Sequence, residues 1–578
     1  MNKEAVLHTT MSEYSHGISE DTFVIRIRTA KNDIKKCTLM VGDTACRKTP
    51  IDFYPEEMRV VATDLLFDYF EAEFKCPYNR IYYYFVLDDG KESVYYFNDF
   101  FREELPDDRS EYYKLPFLHR ADIAYTPDWV KDAVIYNIFP DSFATGKRYI
   151  SCKSGEKMFK TEKMTEEVKT VTKLGGTIKG ITENADYLKD LGINCIYINP
   201  SFAAGQCHKY DTIDYFTIDP NFGTNEDFKE MVSALHANGI RVIIDGVFNH
   251  CGWMFYAFDD VVRNQEKSQY VDWFYRLSFP VERPDNGEDI PGYECFAYER
   301  LMPKLNTENP EVIEMICSVG EYWIKEFDID GWRLDVANEI NDDLWRTFRK
   351  RVKAAKKDAF IIGEVWENSR HWLQGDMFDS VMNYDVRKFS KYYFAWSKID
   401  TKTFNAGVTN MLMRYKKDLL FGELNLLDSH DVSRFLSECN GDEKKFKDAV
   451  VFQMMFIGAP SVFYGDEKGL MGVTEPEYRR PMEFDKESDL YDFYKKIIAV
   501  RTSEAAVRRG SFECISEEGV YAFVRRLGNE SVYVYINNSE KEEKITSPSK
   551  NVLMEEGYDA KSGSLLPHGF VITKETGK

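Results

Sequence analysis

Hydrophobic positions in residues 1–122 recur every second residue. In Thr22-Phe-Val-Ile-Arg-Ile-Arg28, Phe23, Ile25 and Ile27 share one face, which is the period of a strand. Two aromatic runs, Ile81 to Leu87 and Val94 to Phe97, flank Asp88-Asp89-Gly90, a hairpin turn signal. The segment reads as an all-β sandwich. The Pro-containing stretch Leu115 to Pro127 links it to the next unit of the chain.

From Asp132 the pattern becomes an alternation of helix and strand. Ile181, Ala185 and Leu188 predict a helix that Gly192 stops, with a strand from Ile193 to Ile198. Asn225 is placed to cap a helix bearing Phe228, Met231, Val232 and Leu235. After Gly239 the apolar run Ile240 to Ile244 reaches Asp245. Pro310 opens a helix with Val312, Met315, Ile316 and Val319, and Gly331 to Leu334 then reaches Asp335. Leu344, Trp345 and Phe348 start another stripe, before Phe360 to Gly363 reaches Glu364. Repeated units with near-continuous apolar strands mean a parallel sheet covered on both faces.

Where these strands end decides their arrangement. Asp245, Asp335 and Glu364 each follow a strand, and His430-Asp431 follows Leu424 to Leu427. A closed barrel brings all strand ends to one rim, whereas an open sheet spreads them along an edge. The predicted fold is α/β: a (β/α)8 TIM barrel with an N-terminal β-sandwich and a C-terminal all-β domain. We place the domains at 1–122, 123–508 and 509–578, the last read as a β-sandwich from the alternation in Gly519 to Arg526 and Val532 to Ile536. Asn249 to Leu305 lacks strong periodicity, so a loop-rich subdomain is expected as an insertion at about 251–305.

Composition narrows the partners. The 578 residues carry a formal net charge of −22, which argues against a nucleic-acid surface or an anionic membrane face. No run is long and apolar enough to span a membrane, and the N-terminal Met-Asn-Lys-Glu-Ala-Val-Leu has no apolar signal core. The 11 cysteines are scattered without a CxxC pair, and Cys37, Cys195 and Cys317 sit in apolar runs as buried thiols. A cytoplasmic protein is the expectation. The 36 Tyr, 41 Phe and 9 Trp can fill a core or stack on flat ligands.

Paired carboxylates across a cleft can break a glycosidic bond, one as general acid and the other as nucleophile. Arg333, two residues before Asp335, points to the same side and is expected to keep Asp335 ionised. Val365 and Trp366 give Glu364 apolar company, which suits an acid. Each residue alone has an ordinary structural explanation as a cap, a turn former or a salt bridge; their ordered recurrence at strand ends does not.

Four segments carry a resemblance: Asp245-Gly-Val-Phe-Asn249-His250, Gly331-Trp-Arg333-Leu-Asp335-Val-Ala-Asn338-Glu339, Gly363-Glu364-Val-Trp366 and Leu427-Asp-Ser-His430-Asp431. In order and spacing they resemble the signature segments of the α-amylase family of glycoside hydrolases. The resemblance implies Asp335 as nucleophile, Glu364 as acid/base and Asp431 as transition-state stabiliser. It implies Tyr210, His250, Arg333, His430, Glu339, Trp366 and Arg479 as substrate-binding residues, with Asp245 and Asn249 ordering the site. Val336 to Glu339 and Met302-Pro-Lys-Leu-Asn306 resemble the cyclomaltodextrinase, neopullulanase and maltogenic amylase branch. That branch implies α-glucan oligosaccharide substrates and a starch-binding-like N-terminal module, often packed on a partner subunit to form a homodimer. Of the module's rings Tyr82, Tyr83, Tyr84, Tyr95, Tyr96 and Phe97, alternation assigns most to the core.

Three departures stand out. Where relatives commonly carry an Asn/Asp-rich calcium loop, this chain has Ala144-Thr-Gly-Lys147-Arg148-Tyr149, so no metal ligand is assigned and no cofactor is required, although calcium stays open. Glu367 follows Trp366 where many relatives have His, and Glu475 stands where Asp is usual. The expected activity is retaining hydrolysis of α-1,4-glucosidic bonds in cyclodextrins and maltodextrins. Transglycosylation through the same covalent intermediate, and a non-catalytic glucan-binding role, are the alternatives.

Overall fold

Eight parallel strands in the middle of the chain close on themselves. The structure is a computed structural model that describes residues 1–106, 108–147, 174–284, 291–516, 519–546 and 549–577. The barrel strands are β1 (Ile135–Ile138), β2 (Cys195–Ile198), β3 (Arg241–Gly246), β4 (Gly331–Leu334), β5 (Phe360–Gly363), β6 (Ser380–Asn383), β7 (Leu424–Leu426) and β8 (Ala459–Phe463). They pair in sequence order, and β8 returns to β1. Every residue of β1, β2, β4 and β5 is buried, because helices cover the outside and side chains fill the inside. Register fixes the rim: Asp245 lies beside Arg333, and Leu334 beside Gly363, so Asp335 and Glu364 leave adjacent strands at one level. Gly363 must lack a side chain, since a Cβ there would lie 2.5 Å from the Phe378 ring.

Three local expectations need correction. The helix through Ile181 and Leu188 is two, Ile178–Glu183 and Ala185–Leu191, broken at Asn184. There the Asn184 amide donates to the Gly146 and Gly180 carbonyls and competes with helix continuation. The next helix is Asn225–Ala237, and its cap is Thr224, not Asn225. Thr224 forms a capping box with Asp227, while the Asn225 side chain instead accepts from the Ile218 amide. The insertion after β3 contains a helix, Tyr256–Asn264, that buries Ala257, Phe258 and Val261. Its stripe is too short to stand out in sequence. Bridges from His250 to Lys304 and from Phe274 to Leu305 pin the insertion over the rim.

The N-terminal module pairs nine strands, antiparallel throughout. The strand Tyr54–Thr63 pairs with Lys36–Asp43 through its first half and with Phe67–Lys75 through its second, carrying the chain between layers. Phe23, Ile25 and Ile27 are buried in its core, as are Tyr83, Tyr84, Tyr96 and Phe97, so most of the aromatic rings are core. The opposite face is buried too, against the barrel: Arg26 bonds Glu71 at 2.8 Å and the Tyr415 carbonyl at 2.9 Å.

The last six strands form one continuous antiparallel sheet whose Phe523, Val534 and Ile572 join the barrel core. Two buried arginines lock this sheet to the barrel. Arg525 donates to the carbonyls of Met455 (2.9 Å), Gly510 (2.9 Å) and Ser511 (3.1 Å). Arg501 donates to those of Met454 (2.7 Å) and Gly458 (2.6 Å). Both thus cap the C-terminus of helix Glu443–Met455, where orphan carbonyls and the helix dipole favour a cation. Arg525→Leu removes the donor to two buried carbonyls and one part-buried carbonyl and is expected to cost about 3 kcal/mol. A lower urea midpoint with unchanged kcat at 25 °C is the predicted outcome, and an unchanged midpoint would show that the lock is not needed.

Candidate active site

Arg333 on β4 is fully buried and divides its donors among four partners. Nη1 reaches Asp245 Oδ1 and Asp335 Oδ1, each at 2.9 Å, and Nη2 reaches Glu364 Oε1 at 2.8 Å. Nε points at Met382 Sδ at 3.4 Å. A planar fork of this kind suits several carboxylates at once, which a lysine ammonium would not match. Two carboxylates therefore face one cleft while tied to one cation.

Asp335 does not behave as the sequence suggests. Burial, joined by the charges of Glu364, Asp245 and Asp431, drives its carboxyl well above the usual range despite the opposing pull of Arg333. Three buried acids around one guanidinium favour retention of a proton on Asp335. The surroundings of Glu364 also differ from expectation. Trp366 Nε1 donates to its Oε1 at 3.3 Å, and the Val336 amide donates to Oε2 at 3.0 Å. Val336 has φ 44°, a left-handed conformation costly for a β-branched residue, and that strained turn aims its N–H at Glu364.

Asp431 follows β7 and closes the third side. Burial alone would raise its pKa, but His430, Arg479 and Arg333 hold it below the ordinary carboxylate range. His430 Nε2 lies 2.9 Å from it, and Arg479 Nη2 lies 3.3 Å away. Arg479 also donates to the His430 carbonyl at 2.7 Å and to Glu475 at 2.6 Å, so Glu475 anchors the arginine. The Tyr210 ring stacks on His430 at 5.6 Å with an 8° interplanar angle, and its hydroxyl bonds His430 and Asp245.

On the other wall His250 stacks on Phe296 of the insertion at 4.9 Å. Burial, then Lys304, lowers its pKa to about 3, so the ring is neutral. Lys304 bonds Asn249 and pairs with Glu339 at 3.0 Å. Glu339 is half exposed at the mouth rather than beside the carboxylates. Trp366 is 53% exposed and lies on Tyr384 at 3.9 Å, a flat aromatic shelf. Glu367 accepts from the Asn338 amide at 2.9 Å on the same side.

Several contributors were missed in the sequence. Tyr197 on β2 donates to Asp245 at 2.7 Å, and Asn199 just beyond it bonds His430 at 2.9 Å. The signal was present, since Asn199 follows a strand as the acids do, but Tyr197 reads as core. Tyr384, Phe296 and Lys304 could not be placed without the fold. Four buried polar atoms at the site have no hydrogen-bond partner: Arg333 Nη2, Asp335 Oδ2, His250 Nε2 and the Tyr384 hydroxyl. Unpaired groups of this kind call for a hydrogen-bonding ligand.

The stretch where relatives commonly carry a calcium loop is described only in part, because Arg148 and Tyr149 lie outside the described residues. Lys147 pairs with Asp186 at 3.7 Å, so this stretch offers a cation where calcium needs oxygens. Among the described residues no group of three or more His, Cys, Asp or Glu is arranged to hold a metal. What remains is a cleft with an acid, Asp335, that burial keeps protonated, two further carboxylates, a neutral imidazole and aromatic shelves. It suits an uncharged polyhydroxylated ring carrying an acid-labile bond.

Comparison with known proteins agrees with this geometry. Residues 137–485 match the α-amylase catalytic domain, and residues 1–119 match the α-amylase N-terminal Ig-like domain. The chain is 42% identical to a cyclomaltodextrinase of Geobacillus thermopakistaniensis (strain MAS1) over 99% of both chains. It is 37% identical to an intracellular maltogenic amylase of Bacillus subtilis (strain 168) over 93% of this chain and 91% of the other. A solved cyclomaltodextrinase structure superposes with a TM-score of 0.87 at 37% identity, covering 100% of this chain and 98% of that one. The protein belongs to the α-amylase family of glycoside hydrolases.

Proposed function

We propose that the protein hydrolyses α-1,4-glucosidic bonds of cyclodextrins and maltodextrins with retention of configuration. The observation that carries this reading is the single guanidinium shared by Asp335 and Glu364. Sharing one fork keeps the two carboxyls close, as a double displacement requires at about 5 Å. The proton of the pair moves to Glu364 when a sugar occupies the site, because the positive charge developing at C1 favours ionised Asp335. Glu364 then protonates the glycosidic oxygen while Asp335 attacks C1, forming a glycosyl ester and releasing the leaving sugar. Water enters, Glu364 takes its proton, and its oxygen attacks C1 and frees Asp335. Asp431 binds hydroxyls of the same ring, and Tyr210 lies under it.

The same reading gives the finer assignments. Exposed Leu65, Leu66, Phe100 and Phe117 on the N-terminal module support a homodimer formed through that module. A starch-binding role for the module rests on Tyr82 and Tyr95, the two rings of its aromatic runs that stay half-buried. Free thiols throughout the described residues and the intracellular relative support a cytoplasmic location.

Four outcomes are expected. Glu364→Gln loses about 10²–10⁴ in kcat/KM on maltotriose, yet far less on α-maltosyl fluoride, whose leaving group needs no proton. The wild-type enzyme likewise loses activity on maltotriose as pH rises and the pair gives up its proton, whereas its fluoride reaction keeps no such alkaline limb. Equal losses on both donors would contradict the assigned acid. Dialysis against EDTA leaves kcat unchanged, because each step uses side chains of the chain itself, and a loss restored by calcium would overturn that. β-Cyclodextrin is cleaved with kcat/KM at least about tenfold above starch, a difference of ~1.4 kcal/mol in transition-state binding. A preference for starch would contradict this small-substrate reading.

A further inference from the structure

The end of the barrel opposite the carboxylates holds a second cavity, of about 230 Å³, at the junction of all three domains. Its apolar part is formed by Met413 and Phe421, both ahead of β7, and by Phe512 on the first strand of the C-terminal sheet. Val60 and Val61 flank it from the N-terminal module, where the strand Tyr54–Thr63 shifts register. These residues lie at the N-terminal ends of the barrel strands, away from the catalytic rim.

The polar residues of the cavity are unequal in charge. Arg26, Arg59, Lys417 and Arg526 line it against Glu71 and Glu513. Lys417 is engaged by Glu71 (2.6 Å) and Glu73 (2.7 Å), and Arg526 by Glu513 (3.3 Å). Arg26 uses Nε and Nη1 for its bonds to Glu71, Glu13 and Tyr415, none of which involves Nη2. Arg59 is exposed and forms no ion pair among the described residues. An apolar chamber with a surplus cation at its edge is complementary to an anion with an apolar body. A saccharide fits poorly, because the hydroxyls on its side toward Met413, Phe421 and Phe512 would lack partners. An enclosed apolar cavity of ~150 Å³ takes benzene, so this open cleft of about 230 Å³ has room for a ring with a short side chain.

We propose that this three-domain cavity binds a small aryl or alkyl carboxylate, its carboxylate on Arg59 and its apolar body against Phe421 and Phe512. An occupant touches the N-terminal module, the barrel and the C-terminal sheet at once, so it stabilises their arrangement.

The test titrates the full-length protein with 3-phenylpropionate by calorimetry and follows the thermal midpoint, with 3-phenylpropanol as the uncharged twin. Expected are one saturable site, a midpoint that climbs with concentration, and binding of the alcohol at least about tenfold weaker, the loss of one charged hydrogen bond. Arg59→Ala removes the advantage of the acid over the alcohol, and Met413→Trp fills the chamber and abolishes binding of both, with maltotriose hydrolysis unchanged in each. Arg59 is exposed, so that variant decides the matter if Met413→Trp does not fold. The proposal is overturned by absence of saturable binding in the millimolar range, by equal affinity for acid and alcohol, or by competition from maltotriose.

Discussion

The guanidinium of Arg333 is fully buried, and a cation at that depth without partners would cost several kcal/mol. Asp245, Asp335 and Glu364 supply those partners from three neighbouring strands. This forces the barrel register, because only adjacent parallel strands bring these side chains to one level. The same contact sets the chemistry. One cation cannot neutralise three buried acids, so Asp335 is pushed toward its protonated form, and a proton in the cleft is the resource that acid catalysis of glycoside cleavage requires.

The rest of the site is arranged around that imbalance. His430 and Arg479 lie against Asp431 and hold its carboxyl below the ordinary carboxylate range. His250 is neutral, so it donates or accepts a hydrogen bond without adding to the field. The strained Val336 turn and the Trp366 ring each place one N–H on Glu364, fixing its carboxyl without a second cation. The aromatic excess of the sequence thus divides in two. Rings such as Tyr83, Tyr96 and Phe523 are buried in the core, whereas Tyr210, Trp366 and Phe296 line the cleft.

The barrel and its acids were legible because they leave two superposed signals, an apolar run and a carboxylate at its end. Asp245, Asp335, Glu364 and Asp431 all carry both. What could not be read lacks one of them. Tyr197 is an aromatic residue in a buried strand and looks like packing until its hydroxyl is seen 2.7 Å from Asp245. Phe296 and Lys304 reach the cleft only because the insertion folds back over the rim. The expected ionisation of Asp335 failed for a related reason, since sequence reveals a neighbouring arginine but not the depth of burial that outweighs it. Buried Arg26, Arg501 and Arg525 are invisible for the same cause: their partners are main-chain carbonyls, distant in sequence, or a carboxylate on another strand.

Trapping the covalent intermediate tests the assigned chemistry most directly. Incubation with a 5-fluoro-α-maltosyl fluoride, followed by proteolysis and mass spectrometry, is predicted to give one glycosylated peptide with the sugar esterified to Asp335. A label on Glu364 or Asp431, or turnover with inversion and no adduct, would contradict it.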